Sequence, residues 1–306
     1  MKDSKGKKES GIGFWAKAIA TTLVILILAF GFGAFCYTKT DIKSMVPQYI
    51  QKEYDFQKES FYGRDIFSIS PKKENDSKKV IIYIHGGSYV GELTLEHWKF
   101  ASQLVDRTGY RVIMPDYPLA PKHTYQDVFA IIEPFYEKIL REIGAENIIL
   151  MGDSAGGGLS LALCEEMGTK GFAQPSKLIL ISPWLDTRME NPEIDNVAEK
   201  DPILNKVTLK IAANIYAGEE GKQSYLVNPI DGPLENLGNI IIYTGTYDIF
   251  NPDTRLFVEK AKQKGVYITL KETEKATHVW ILRIGEKTEE YMAKEDFEDL
   301  IHELKK

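Results

Sequence analysis

The stretch that decides the fold runs Ile148-Ile149-Leu150-Met151-Gly152-Asp153-Ser154-Ala155-Gly156-Gly157-Gly158 and continues into the helical pattern Leu159-Ser160-Leu161-Ala162-Leu163. Its first four residues form a continuous apolar run, which is typical of a strand covered on both faces. Ser154 then lies at a sharp strand-to-helix turn, and Gly152 and Gly156 leave room for the backbone to approach closely there. Such a turn exposes the hydroxyl, and the helix N-terminus adds partial positive charge beside it. We therefore predict that Ser154 is a nucleophile.

On either side of this turn, short apolar runs alternate with amphipathic stretches, a pattern that predicts a mostly parallel sheet with helices on both faces. Strands are predicted at Val80-Ile84, Val112-Pro115, Ile148-Met151, Leu178-Ile181, Ile240-Tyr243 and Val266-Leu270. Helices are predicted around Val46-Phe61 and at His97-Arg107, Tyr125-Ile143, Gly156-Met167, Lys206-Ala217, Pro252-Lys264 and Lys287-Leu304. The polar segment 186–228 is longer than a simple crossover requires, so we interpret it as a lid; an ordinary surface excursion is the alternative.

A second motif follows the first of these predicted strands, where His85-Gly86-Gly87-Ser88-Tyr89 continues the chain. A tetrahedral intermediate needs preorganised donors at the position where negative charge develops, and the amides of small residues can come that close. We assign these donors to Gly86 and Gly87, with Ala155 as the third. His85 precedes the nucleophile in the chain, and we expect it to order this loop rather than to act as a base.

The acid and the base of such a site should follow the serine in that order. After the apolar run 240–243 comes Thr244-Gly245-Thr246-Tyr247-Asp248, which places Asp248 at the sheet edge where active sites of this architecture form; Asp253 is the alternative carboxylate. His278 lies in a loop before the last predicted helix. The other histidines precede the serine or lie in that helix: His85, His97, His123 and His302. A Ser154-His278-Asp248 triad is therefore predicted.

At these positions the chain resembles the hormone-sensitive-lipase-like carboxylesterases of the α/β-hydrolase fold, which include arylacetamide deacetylase and bacterial acetyl esterases. The matching segments are His85-Gly86-Gly87, Asp116-Tyr117-Pro118-Leu119-Ala120-Pro121, Gly152-Asp153-Ser154-Ala155-Gly156-Gly157, Ser182-Pro183-Trp184-Leu185-Asp186, Asp248 and His278. The resemblance implies hydrolysis of short-acyl, acetyl-like carboxylic esters, no metal and no cofactor, and a helical cap. That cap is formed by the segment before the first strand together with the insertion after Asp186.

Two departures from the family's pattern bear on the site. Ser88 stands where the family commonly has a third glycine, which we expect to reshape the pocket wall without abolishing activity. Ile249-Phe250 replace the Pro-Leu that usually follows the acid, which weakens the choice of Asp248 over Asp253. Three alternative functions remain: a serine peptidase or amidase of the same fold, a catalytically silent ligand-binding relative, and a membrane-attached interaction module. Loss of catalysis in such a relative typically shows as a replaced histidine, whereas His278 is present, and an interaction module would leave the order of the triad unexplained.

The N-terminal region contains twenty residues without a charge, AIATTLVILILAFGFGAFCY at positions 18–37, which match the thickness of a bilayer core. Lysines precede this run, so we predict a cytoplasmic tail at 1–17, a transmembrane anchor at 18–37, a linker and cap segment at 38–77, and the catalytic domain at 78–306. The protein would be a single-pass cell-membrane protein with its catalytic domain outside the cytoplasm. Cleaved secretion is the alternative.

Composition excludes other classes of function. A hydrophobic fraction of 43% and a charged fraction of 27% are those of a globular chain, and the net charge of −6 gives no electrostatic basis for binding nucleic acid. The two cysteines, Cys36 and Cys164, lie in unrelated segments, so neither a disulfide nor a metal framework is predicted. A small-molecule ester and the membrane are the expected partners, and the oligomeric state is not predicted.

Overall fold

An eight-stranded, mostly parallel sheet forms the centre of the chain in this computed structural model, which describes residues 46–73, 76–284 and 290–306. In chain order the strands are β1 Tyr54–Phe61, β2 Arg64–Pro71, β3 Val80–Ile84, β4 Arg111–Pro115, β5 Ile148–Asp153, β6 Lys177–Ile181, β7 Ile240–Gly245 and β8 Ile268–Thr273. Their order across the sheet is β1-β2-β4-β3-β5-β6-β7-β8. Only the β1–β2 and β2–β4 pairs are antiparallel among these strands.

Helices connect the strands, as the alternating pattern predicts. They are α1 Gln48–Glu53, α2 Leu95–Thr108, α3 Tyr125–Ile143, α4 Ser154–Thr169, α5 Ile194–Ala198, α6 Lys206–Ala217, α7 Asn251–Gln263 and α8 Glu290–Lys305. Short 3-10 turns lie at Ala145–Asn147, Pro229–Asp231 and Trp280–Arg283. All six predicted strands are present, with ends shifted by a few residues at most.

The predicted helix over Val46–Phe61 is wrong beyond Glu53, because the chain continues as β1 and turns back into β2. Tyr62 and Gly63 join these strands and both have positive φ, of 46° and 78°. Two such residues match the right-handed twist of paired strands, so they close a tight hairpin. Residues 54–71, which the sequence places in the linker and cap segment at 38–77, extend the sheet at its antiparallel edge.

Side chains of the central strands alternate between two apolar layers. On β3, Ile81 and Tyr83 belong to a buried cluster that includes Trp98 of α2 and Phe297 of α8. Ile82 and Ile84 are equally buried and point to the opposite face, since successive strand residues alternate. Helix α4 packs against β3, β5 and β6. The strands are thus covered on both faces, which explains their uninterrupted apolar sequences.

The segment 186–228 lies between β6 and β7 and contains helices α5 and α6. We keep the name lid for it. The predicted anchor at 18–37 lies outside the described residues. In the part of the chain that the structure describes, none of the helices is both long and apolar enough to span a bilayer. The membrane anchor and its orientation stay predictions.

Candidate active site

Ser154 occupies the turn between β5 and α4 with a backbone strained toward the left-handed region, at φ 52°. The two flanking glycines allow this turn. A Cβ on Gly152 would lie 2.3 Å from the carbonyl oxygen of Gly156, and a Cβ on Gly156 would lie 2.1 Å from that of Ile84. Backbone atoms cannot give way at such distances, so only glycine fits at either position. The turn presses the nucleophile candidate against the end of β3.

The structure brings Ser154, His278 and Asp248 together from three separate segments of the chain. Ser154 Oγ lies 2.9 Å from His278 Nε2, and His278 Nδ1 lies 3.0 Å from Asp248 Oδ2. All three side chains are buried. The other carboxylate oxygen of Asp248 accepts a 2.9 Å hydrogen bond from the Phe250 amide, which fixes the carboxylate plane. This arrangement can move a proton from the hydroxyl to the imidazole while a carboxylate faces the ring from behind.

The alternative carboxylate, Asp253, lies on α7, and its hydrogen bond joins it to the lid. Its Oδ1 accepts a 2.9 Å hydrogen bond from Asn191 at the start of the lid. Burial raises the pKa of Asp253 to about 6. Asp253 is therefore a buried residue of the lid junction, whereas Asp248 is the carboxylate in contact with His278.

The glycine loop after β3 requires a correction to the predicted oxyanion donors. The Gly86 amide donates to Asp153 Oδ1 at 2.9 Å, so it already has a charged acceptor. By contrast, no acceptor is within hydrogen-bond distance of the Gly87, Ser88 or Ala155 amides among the described residues. A Cβ on Gly86 would lie 2.9 Å from Ser154 Cβ, so this loop passes directly beside the serine. Within the residues that the structure describes, the amides of Gly87 and Ser88 are therefore the pair without a hydrogen bond, in place of the predicted pair Gly86 and Gly87.

Three successive residues of this loop have positive φ angles, 119° at Gly87, 54° at Ser88 and 63° at Tyr89. Such angles are rare for residues other than glycine, so two of them in succession, at Ser88 and Tyr89, mark an unusual loop. The Gly87 carbonyl closes the loop by accepting from the Val90 and Gly91 amides at 3.0 and 2.8 Å. The surrounding structure therefore holds a strained conformation in place.

Asp153, the residue before the nucleophile candidate, anchors this loop, and the sequence reasoning missed it. Besides the Gly86 amide, its Oδ1 accepts from the Tyr83 hydroxyl at 2.6 Å, and His97 Nε2 lies 3.6 Å from its Oδ2. Burial alone would raise the pKa of the Asp153 carboxyl, but His97 and these donors outweigh burial and lower it. A carboxylate at the end of a buried apolar strand needs hydrogen-bond donors around it. The acidic residue at this position of the sequence could therefore have indicated a buried hydrogen-bond network.

His85 orders the glycine loop, as we expect from its position before Ser154 in the chain. Among the described residues, its hydrogen bonds and ring contacts are with residues other than Ser154. Its Nδ1 lies 2.7 Å from the Gly86 carbonyl oxygen, so this nitrogen donates. The ring stacks on Tyr117 with centroids 4.5 Å apart, and the Tyr117 hydroxyl donates to the His85 carbonyl at 2.8 Å. Burial lowers the pKa of His85 to about 3, which keeps it neutral. A neutral, stacked imidazole serves as a rigid support for the loop.

The lid contacts both halves of the site. Tyr216 of α6 stacks on Tyr89 of the glycine loop, with centroids 3.7 Å apart and planes 3° from parallel. Asp201 Oδ2 accepts from the Ile249 amide at 2.9 Å, beside Asp248. No sequence signal pointed to these contacts, because they depend on how the insertion folds back.

In the described ranges no cluster of three or more His, Cys, Asp and Glu side chains could hold a metal ion.

The chain is similar in sequence to one protein family and to individual proteins named esterase and acetyl-hydrolase. The sequence model of a family with the alpha/beta hydrolase fold matches residues 81–282. An esterase of Acinetobacter venetianus is 31% identical over 203 residues, which are 65% of this chain and 67% of that protein. An acetyl-hydrolase of Streptomyces hygroscopicus is 26% identical over 203 residues, 66% of this chain and 68% of that protein.

Solved structures show the same architecture. The crystal structure of an esterase from the bacterial hormone-sensitive lipase family superposes with a TM-score of 0.76 and covers 85% of this chain and 87% of its own. Sequence identity in this pair is 24%, so the likeness concerns the fold.

Proposed function

The chain belongs to the hormone-sensitive-lipase-like esterases of the alpha/beta hydrolase fold, and we propose that it hydrolyses short-acyl carboxylic esters through Ser154, His278 and Asp248. One observation carries this proposal: the continuous pair of contacts from Ser154 Oγ to His278 Nε2 and from His278 Nδ1 to Asp248 Oδ2, at 2.9 and 3.0 Å. A ligand-binding relative would not need a nucleophile, a base and an orienting carboxylate at these distances.

In the first half-reaction, Ser154 Oγ attacks the acyl carbonyl carbon while its proton passes to His278 Nε2. The negative oxygen of the tetrahedral intermediate accepts from the Gly87, Ser88 and Ala155 amides. The imidazolium is stabilised by Asp248 through Nδ1, and it then protonates the departing alcohol oxygen as the carbon–oxygen bond breaks. An acyl-serine and a free alcohol result.

In the second half-reaction, water attacks the acyl-serine carbonyl and gives its proton to His278. The intermediate collapses, the proton returns to Ser154 Oγ, and the carboxylic acid leaves. The preference for short acyl groups is supported by the acetyl-hydrolase among the relatives.

Hydrolysis of p-nitrophenyl esters from acetate to decanoate by the full chain in mild detergent tests this function. We expect turnover that is highest at acetate or butyrate and absent in Ser154→Ala. Ser102→Ala is a matched control, because Ser102 is a buried serine whose hydroxyl donates to a helix carbonyl in α2. Preference for a p-nitroanilide over the ester would favour the amidase alternative, and activity that survives Ser154→Ala would refute the proposed nucleophile.

We also propose that the N-terminal run at 18–37 anchors the enzyme in the cell membrane with its catalytic domain outside the cytoplasm. The proposal is supported by the length of the uncharged run and the lysines before it. Alkaline extraction should leave the full chain in the membrane fraction, whereas a chain that begins at residue 38 should be released. Protease added to intact cells should degrade the catalytic domain if this orientation is right.

A further inference from the structure

A column of buried aromatic rings leads from the lid to the proposed catalytic histidine. Tyr216 of α6 stacks on Tyr89, Tyr89 stacks on Trp184 with centroids 5.6 Å apart, and Trp184 stacks on Phe250 with centroids 5.3 Å apart. The Phe250 ring then meets the His278 imidazole at 5.2 Å and an interplanar angle of 83°. The four members other than His278 are each at most 1% exposed, so they are buried from the lid to the histidine. We define this set of five rings as the aromatic column.

Phe250 is the member of the column that touches the proposed triad in two ways. Its amide donates to Asp248 Oδ1, and its ring packs edge to face with His278. The imidazole is also held by hydrogen-bond contacts at its two ring nitrogens, and the one at Nε2 is exchanged during the proposed reaction. A ring packed against the imidazole keeps it in place while that bond is absent. The χ2 torsion of histidine is broad, so packing is what restricts it.

Tyr216 lies at the other end of the column and acts through its ring alone. Its hydroxyl is buried and has no hydrogen-bond partner among the described residues. The nearly parallel stack on Tyr89 places the tyrosine ring where α6 meets the glycine loop. The contribution of this residue is therefore its flat face, and its hydroxyl is dispensable.

We propose that Phe250 is a positioning residue for His278, and that the aromatic column makes the orientation of the imidazole depend on the placement of the lid through Tyr216. The role rests on the proposed function, because it assumes that His278 is the base. It assigns to the lid a part in aligning the triad, in addition to covering the site. Neither Phe250 nor Tyr216 takes a proton or contacts the reacting atoms.

A double-mutant cycle in the full chain tests the column, with kcat and KM measured on p-nitrophenyl acetate. Phe250→Leu keeps an apolar side chain but removes the ring, and it should lower kcat about tenfold with KM changed less than about twofold. Tyr216→Leu should lower kcat by about threefold to tenfold, whereas Tyr216→Phe should retain wild-type kcat. Two rings separate Tyr216 from Phe250, so the two side chains are not in direct contact. If the two substitutions acted independently, their losses in kcat would multiply in the double variant. The double variant should instead be no worse than about twice the Phe250→Leu loss.

Tyr136→Leu is the control for lost packing, because Tyr136 is a buried tyrosine of α3 outside the column. It should lower the melting temperature and leave kcat within about twofold. Effects that multiply in the double variant, or an unchanged kcat in Phe250→Leu, would overturn the proposal.

The ring protons of His278 give a readout that does not depend on the substrate. In protein with labelled histidine, assigned through His278→Gln, Tyr216→Leu should shift or broaden the His278 ring resonances, and Tyr136→Leu should not. Unperturbed resonances in Tyr216→Leu would refute the column. An inactive wild-type protein with perturbed resonances would refute the ester hydrolase and leave the column intact, so the two failures are distinguishable.

Discussion

Replacing Asp248 by asparagine, with Asp253→Asn as its matched control, separates the two candidate carboxylates. In the proposed reaction His278 becomes an imidazolium, and its Nδ1 lies 3.0 Å from Asp248 Oδ2. Two unit charges at that distance attract by about 5 kcal/mol at an effective dielectric constant of about 20. At about 1.4 kcal/mol per factor of ten in rate, this attraction corresponds to a loss in kcat of roughly 10³- to 10⁴-fold.

The geometry also predicts how the asparagine fails. Its oxygen remains paired with the Phe250 amide, so its NH₂ group faces His278 Nδ1. Nδ1 must then accept, which places the ring proton on Nε2, toward Ser154. A nitrogen that carries a proton cannot take one from the hydroxyl.

Single-turnover and steady-state hydrolysis of p-nitrophenyl acetate measure this effect, with circular dichroism to verify folding. Asp253→Asn should keep kcat within about threefold of the wild type, because Asp253 contacts Asn191 and not the imidazole. The reasoning would be refuted by a nearly active Asp248→Asn protein, and most clearly by one whose Asp253→Asn counterpart is dead.

Three further predictions concern stability and the glycine loop. Because burial raises the pKa of Asp253 to about 6 from an ordinary 3.8, its contribution to folding is full below about pH 4 and declines as the pH rises toward 6. Asp253→Asn should therefore gain roughly 1–3 kcal/mol over the wild type in urea unfolding at pH 8 and little at about pH 3.5, below the ordinary pKa; an equal gain at both would contradict this. Asp153→Asn should lower kcat by about three- to thirtyfold at nearly constant KM, since a weaker acceptor holds the Gly86 amide; unchanged kcat would show that Asp153 does not anchor the loop. Gly156→Ala should destabilise the fold by more than about 3 kcal/mol, because its Cβ would meet the Ile84 carbonyl at 2.1 Å, whereas Gly171→Ala, with no atom within 4 Å, should lose only about 1 kcal/mol in the same unfolding assay.

Much of the central sheet could be predicted because its strands are buried on both faces and so carry unbroken apolar runs. The β5 turn into α4 was predictable for a related reason, since only a strand, two glycines and a helix make such a turn around Ser154. Chain order then selected His278 and Asp248, and the structure brings both to the serine. Local chemistry and order along the chain were sufficient for these elements.

The hairpin of β1 and β2 was not predicted, because β1 lies at the edge of the sheet. Most of its residues are exposed, so neither a helical nor an alternating period dominates. The turn at Tyr62 and Gly63 was the one local signal. Edge strands gain their stability from pairing with a neighbour, which a single-segment pattern does not contain.

The prediction of Gly86 as an oxyanion donor did not account for the hydrogen bond that its amide donates to Asp153, sixty-seven positions away. The sequence shows that Gly86 and Asp153 both flank the site. Only the fold shows that the Gly86 amide donates its hydrogen bond to Asp153. The aromatic column is non-local in the same way. Tyr89, Trp184, Tyr216 and Phe250 come from four separate segments.

Covalent labelling of the serine tests the central claim most directly. The full chain is treated with a fluorophosphonate probe and digested, and the modified peptide is identified by mass spectrometry. We predict one adduct, on Ser154, formed in proportion to the loss of esterase activity, absent in Ser154→Ala and strongly slowed in His278→Ala. An active enzyme that carries no adduct, or one whose adduct lies on another residue and persists in Ser154→Ala, would contradict the account.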